Sequence, residues 1–247
     1  MRTVVVIPVR YASTRFPGKP LARDTGKYLI QHVYERALGA RHPERVLVAT
    51  DDERIQSACR DFGAEVVMTP TDCASGTDRV ARAVSSIECD VVVNVQGDEP
   101  EIDPAHIDQL TELMANGDAH MATLGYRSLG EQAYRDPNVV KVVMGDNGRA
   151  LYFTRAAAPY DRSSGGAVPR EGFIAHIGVY AYRKQFLSTL TTLPPSPLER
   201  LEALEQLRAL EAGYSIALSE VAVAAQGIDT PEQYREFVKR YGERCGP

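Results

Sequence analysis

Apolar runs alternate with amphipathic stretches along the first half of the chain. Thr3 to Val9 (TVVVIPV) is a continuous, mostly β-branched run, the pattern of a strand covered on both faces in a parallel sheet. Arg45 to Thr50 (RVLVAT) is a second strand, Ala64 to Met68 a short third one, and Asp90 to Val95 (DVVVNV) another buried strand. Between these runs, Lys27 to Gly39 carries Ile30, Val33, Ala37 and Leu38 on one helical side. A second helix is predicted from Asp51 or Asp52, either of which can cap it, to about Phe62, and a third over Ser75 to Ile87. Asp103-Pro104 marks a fourth start, with aspartate as cap and proline at the first helical position. This alternation predicts an α/β fold built on a doubly wound, mostly parallel, Rossmann-like sheet.

After about residue 119 the pattern changes. Met121 to Tyr126, Val139 to Met144 and Leu151 to Thr154 read as strands, and Asp146-Asn147-Gly148 is a hairpin signal between the last two. Residues 157–172, rich in Gly, Ser, Pro and charge, read as a mobile loop. Phe173 to Tyr182 is a further strand, and Pro197 to Gly213 is expected to be one helix with Leu201, Leu204 and Leu207 inward. Ile216 to Val221 is a strand and Pro231 to Tyr241 a last helix. With no internal repeat, low-complexity segment or clear linker, the simplest organisation is a single α/β domain over 1–247. Its parts are a half over 1–119, a mixed-sheet half over 120–225 and a C-terminal segment over 226–247.

Composition narrows the function. The 247 residues are 44% hydrophobic with a net charge of −5, without the basic surplus usual in proteins that neutralise nucleic-acid backbones. Cys59, Cys73, Cys89 and Cys245 show no C-x-x-C spacing, so neither a zinc site nor a disulfide framework is expected. The apolar start is too short for a signal peptide and no stretch approaches a membrane span. A cytoplasmic protein that binds neither nucleic acid nor membrane is expected.

Ligands of open α/β sheets gather beyond the carboxyl ends of the strands, and three segments fall there. Arg10-Tyr-Ala-Ser-Thr-Arg-Phe-Pro-Gly-Lys-Pro20 carries Arg10, Arg15 and Lys19, with Gly18 permitting close backbone approach. Cations and free amides at a strand end suit a triphosphate. The segment is neither a Walker A loop, since Pro20 stands where Ser or Thr is needed, nor a dinucleotide fingerprint; a basic surface loop is the plain alternative. Val95-Gln96-Gly97-Asp98-Glu99-Pro100 places a carboxylate at the same rim. Magnesium takes oxygen ligands and usually keeps water and substrate phosphate, so an acidic pair beside a basic loop fits a metal–triphosphate arrangement; a turn cap is the alternative for Asp98. Gly227-Ile228-Asp229-Thr230-Pro231-Glu232 precedes the last helix. There Asp229 reads as a cap unless the fold carries it to Asp98, which spacing alone leaves open.

Taken together, these segments resemble the 3-deoxy-manno-octulosonate (KDO) cytidylyltransferases nearly end to end. The blocks are RYASTRFPGKPL (10–21), VATDD (48–52), SGTDR (75–79), NVQGDEP (94–100), MATL (121–124), NVVKVV (138–143), ALYFTRA (150–156), HIGVYAYR (176–183), SPLERLEALEQLR (196–208) and GIDTPEQ (227–233). The resemblance implies transfer of CMP from CTP to KDO for lipopolysaccharide synthesis, with Mg²⁺ as cofactor and a homodimeric assembly. It implies that Arg10, Arg15 and Lys19 hold the phosphates, that Ser75, Gly76, Arg79 and Gln96 surround the cytidine, and that Asp98 and Asp229 bind magnesium. Arg162, His176, Tyr180, Glu205 and Gln206 would form the sugar-acid pocket. The plain alternatives are a solvated arginine, a structural histidine, a core tyrosine and a solvated helix pair. Departures such as Gly26-Lys27-Tyr28, Asp78 and Tyr160 leave open another ulosonic acid, 8-amino-KDO or sialic acid. A uridylyltransferase and a non-catalytic nucleotide sensor are the remaining readings.

Overall fold

The computed structural model describes residues 1–12, 15–223 and 227–245. In chain order the elements are β1 (Thr3–Pro8), α1 (Leu29–Leu38), β2 (Arg45–Thr50), α2 (Glu53–Asp61), β3 (Glu65–Met68), α3 (Gly76–Ala83), β4 (Val91–Asn94) and α4 (Pro104–Asn116). Then follow β5 (Met121–Ser128), α5 (Glu131–Arg135), β6 (Lys141–Met144), β7 (Ala150–Thr154), β8 (Phe173–Arg183) and α6 (Lys184–Leu190). The last are α7 (Pro197–Glu202), α8 (Gln206–Glu211), β9 (Ile216–Val221) and α9 (Pro231–Cys245). The chain divides into two compact units, one over 1–108 with 225–247 and the other over 109–224.

In the first unit the strands lie in the order β3-β2-β1-β4, all parallel. The chain winds outward from β1 to β3 and then returns to the other side of β1 at β4. That reversal is a topological switch point, where a crevice opens beyond the strand ends. β1 is buried along its whole length, as its uninterrupted apolar run requires. Asp52, not Asp51, caps α2 by accepting from the Arg54 N–H at 2.9 Å, and Asp103 caps the start of α4 through the Ala105 N–H. The C-terminal segment is held by an apolar cluster of Leu29, Ile228, Tyr234 and Phe237, against which Phe16 and Ala22 pack. One cluster therefore fixes both the basic loop and the residue beside Asp229.

The second unit is a mixed sheet. β5 pairs antiparallel with β8 and parallel with β9, while β6 pairs antiparallel with β7 and β8. The Asp146-Asn147-Gly148 hairpin forms as expected, with Gly148 at φ 71°. Residues 157–172 form neither helix nor strand. The single helix expected over 197–213 is instead two, α7 and α8, broken at Ala203 in the left-handed conformation (φ 51°, ψ 50°). Leu201 turns outward and is 82% exposed, while Leu204 and Leu207 are buried. The break is held from outside: the Arg155 guanidinium donates to the Glu202 carbonyl at 2.5 Å and to the Ala203 carbonyl at 3.3 Å. Lys141, fully buried, anchors Arg155 in turn, its ammonium donating to the carbonyls of Asp136, Val139 and Arg155.

Candidate active site

A cleft of about 710 Å³ opens at the switch point of the first unit. Arg10, Arg15, Lys19, Ser75, Gly76, Arg79, Gln96, Asp98 and Asp229 all line it. Local sequence explains the two loops that form its rim. Gly18 adopts φ 70°, and a Cβ there would meet the Tyr11 hydroxyl at 3.1 Å; glycine lets the loop double back so that Lys19 enters a short 3-10 turn aimed into the cleft. Gly97 lies against β1, where a Cβ would stand 2.8 Å from Val9 Cγ2, and this close approach delivers Asp98 to the rim. Ser13 and Thr14 of the basic loop lie outside the described residues.

The fold carries Asp229 to Asp98. Lys19 Nζ is 2.9 Å from Asp98 Oδ2 and 3.7 Å from Asp229 Oδ1, and it donates to the Ile228 carbonyl at 2.6 Å. The Ile228 N–H donates to the Asp98 carbonyl at 2.9 Å, and Arg15 NH2 lies 3.0 Å from Asp229 Oδ1. The lysine side chain is only 12% exposed, so its charge acts in a medium of reduced dielectric. Glu99, next in sequence, is the second member of the acidic pair. Burial, then the charges of Asp98 and Asp229, push its carboxyl up to about 8 despite the nearby Lys19. Three carboxyl groups thus crowd one another at this rim beside Lys19.

Two hard carboxylate oxygen donors in such a field suit Mg²⁺, which needs one or two carboxylates and completes its shell with water and substrate phosphate. Among the described residues no three acidic, histidine or cysteine side chains converge as a protein-only cage. Asp98 and Asp229, at the rim of a cleft lined by Arg10, Arg15 and Lys19, are a donor set that fits a metal shared with a phosphate ligand.

At the other end of the cleft, Ser75 caps α3 in a reciprocal capping box with Asp78, so the hydroxyl expected at the cytidine already accepts from a main-chain N–H. Arg79 is buried; its guanidinium donates to Thr69 Oγ1 at 2.5 Å and to Asp51 Oδ2 at 2.7 Å. Asp51 was passed over in the sequence because either aspartate of the pair could have been the cap. Gln96 Nε2 donates to Asn94 Oδ1 at 3.1 Å.

The residues expected at the sugar acid lie in the second unit. The His176 and Tyr180 rings are 5.4 Å apart, with Phe153 edge-on to His176 at 5.1 Å. Burial pushes the His176 imidazole down to about 3. Burial and, more weakly, the charges of Tyr182 and Glu205 raise the Tyr180 phenol, so Glu205 lies near that ring. Gln206 is buried and its amide nitrogen has no hydrogen-bond partner among the described residues. An orphaned buried donor costs about 1–3 kcal/mol. Arg162 is exposed on its loop, with no side-chain partner among the described residues.

A parallel sheet with a basic loop and two adjoining aspartates at its switch point defines a nucleotide-binding transferase. The family described as Cytidylyltransferase matches residues 4–216. A 3-deoxy-manno-octulosonate cytidylyltransferase of Syntrophotalea carbinolica is 52% identical over 238 residues, covering 94% of this chain and 95% of that protein. An 8-amino-3,8-dideoxy-manno-octulosonate cytidylyltransferase of Shewanella halifaxensis is 48% identical, covering 95% and 96%. Among solved structures, a CMP:2-keto-3-deoxy-manno-octonic acid synthetase complexed with CTP superimposes with a TM-score of 0.93 at 39% identity, covering 99% of this chain and all of that one. The chain belongs to the 3-deoxy-manno-octulosonate cytidylyltransferase family.

Proposed function

We propose that the chain transfers CMP from CTP to the anomeric hydroxyl of KDO, giving CMP-KDO and diphosphate, with Mg²⁺ as cofactor. The observation that supports this most directly is the meeting of Asp98 and Asp229 on Lys19 inside a strand-end cleft lined by Arg10, Arg15 and Arg79. Relatives named for this reaction, and a 39% identical neighbour holding CTP, point the same way.

The sugar hydroxyl oxygen forms a bond to the α-phosphorus while the bond from that phosphorus to the diphosphate oxygen breaks, and the hydroxyl proton passes to water. Arg15 and Lys19 face charge building on the diphosphate, where preorganised donors are most effective. Arg10 adds a third cation at the loop's entrance. Arg79, held by Asp51, presents its remaining N–H groups to acceptors of the base. Asp98 and Asp229 would hold the magnesium, which when bound screens repulsion between the two anionic substrates and polarises their oxygens. His176, Tyr180, Glu205 and Gln206 are assigned to the sugar acid, with Arg162 as its cationic partner. No side chain is required as a covalent nucleophile. The protein works as a homodimer in the cytoplasm under this reading.

Diphosphate release on mixing the protein with CTP, Mg²⁺ and KDO tests the proposal. Release only with 8-amino-KDO or sialic acid would transfer the activity to that sugar, and release with UTP as efficient as with CTP would move it to another nucleotide. Tight CTP binding without release with any sugar acid would leave a sensor. Asp98→Asn should lower turnover by about 100- to 1,000-fold, on the scale of removing one group that stabilises transition-state charge, with an unchanged circular dichroism spectrum. Near-normal turnover would take Asp98 out of the metal site.

A further inference from the structure

Thr123 sits at an irregularity in the β5–β8 ladder. Thr123 pairs with Tyr180 but the next residue, Leu124, pairs with Ile177, leaving Gly178 and Val179 unmatched on β8. The Thr123 side chain is fully buried, and three heteroatoms surround its hydroxyl: the Val179 carbonyl at 2.8 Å, the Ile177 carbonyl at 3.2 Å and His176 Nε2 at 2.9 Å.

A hydroxyl has one proton and two lone pairs, and a carbonyl oxygen only accepts. Without a proton between them, the hydroxyl and the Val179 carbonyl would oppose lone pairs at 2.8 Å. The proton therefore lies on the carbonyl side, and the contact to His176 is made only if Nε2 carries a hydrogen and donates. We infer that Thr123 is a positioning residue that fixes His176 as the neutral Nε2–H tautomer, leaving Nδ1 as a bare acceptor for a donating group of the ligand, a sugar hydroxyl, and not for its carboxylate. This rests on the assignment of His176 to the sugar-acid pocket.

The surroundings agree with a neutral ring. Phe153 and Tyr180 flank it, and burial disfavours its charged form. Among the described residues, no protein group is hydrogen-bonded to Nδ1. An acceptor-only nitrogen cannot bind a carboxylate but complements a hydroxyl, so recognition of the acid group falls to other side chains.

Two-bond ¹H–¹⁵N correlation spectra of ¹⁵N-histidine-labelled protein test this directly, with His176→Asn identifying the resonance among the five histidines. The expected pattern is protonated Nε2 and unprotonated Nδ1, unchanged from pH 8 to pH 5.5. Thr123→Val should shift that pattern and raise the sugar-acid KM by about tenfold, the scale of one hydrogen bond, with the CTP KM unchanged. Thr123→Ser, which keeps the hydroxyl, should restore both. A Nδ1–H or doubly protonated ring in the wild-type protein overturns the inference. A tautomer that changes in Thr123→Val with no effect on the sugar-acid KM leaves the lock in place and removes His176 from the sugar pocket.

Discussion

Single side chains in the cleft are held by partners that touch no substrate, and their removal has separable effects. Asp51 orients the buried Arg79 guanidinium together with Thr69. Asp51→Asn keeps the size but removes the charge, so the CTP KM should rise by about tenfold or more, as for loss of a charge-assisted hydrogen bond, with the sugar-acid KM unchanged in steady-state assays. Glu99 gives a pH-dependent prediction. Its carboxyl ionises near 4.5 in the unfolded chain but only near 8 in the folded one. The unfolded state thus releases its proton first, and folding is increasingly disfavoured as pH rises between those values. Glu99→Gln removes that penalty. In metal-free protein its melting temperature should match wild type near pH 4 and exceed it by a margin that grows toward pH 8; a constant or shrinking margin would refute the assignment.

At the scale of elements, the sequence was most readable where one local rule decides the outcome. The TVVVIPV run could be read as a doubly covered strand, Asp103-Pro104 as a helix start and Asp146-Asn147-Gly148 as a hairpin, because each rests on neighbours a few residues apart. The break between α7 and α8 was not readable: Glu202-Ala203-Leu204 carries no glycine or proline, and its apolar spacing continues the helical period. The cause lies 48 residues earlier in sequence, where Arg155 holds the Glu202 and Ala203 carbonyls. A non-glycine residue in the left-handed region costs about 1–3 kcal/mol. Ala203→Gly should relieve about 1 kcal/mol of this and raise the melting temperature by about 2–4 °C, as followed by calorimetry. Loss of stability there would mean that the left-handed turn carries no strain.

At the scale of the molecule, the α/β class, the parallel first half and the family were all accessible from ordered motifs. The meeting of Asp98 with Asp229 was legible only through the resemblance, because strand order and the apolar cluster under α9 decide it, and neither is written in spacing. Phe237, buried against Leu29, Ile228 and Tyr234, is not among the residues that line the cleft. Phe237→Ala should cost about 3–5 kcal/mol in chemical denaturation and, by loosening Ile228, should lower magnesium affinity in calorimetric titration with CTP. A destabilised variant with unaltered magnesium binding would separate the cluster from the site.

The bond from Lys19 to the Ile228 carbonyl spans 209 positions of the chain. At roughly 5–20 residues per second of synthesis, a ribosome exposes the lysine about 10–40 s before its acceptor exists. Asp98 follows the lysine after 79 positions, and for the rest of that interval the nascent chain has the basic loop and Asp98 but lacks Asp229. Under the proposed role of Asp229, competence to transfer a nucleotide waits for residues 228 and 229, and a chain released before them through a nonsense codon would be inert.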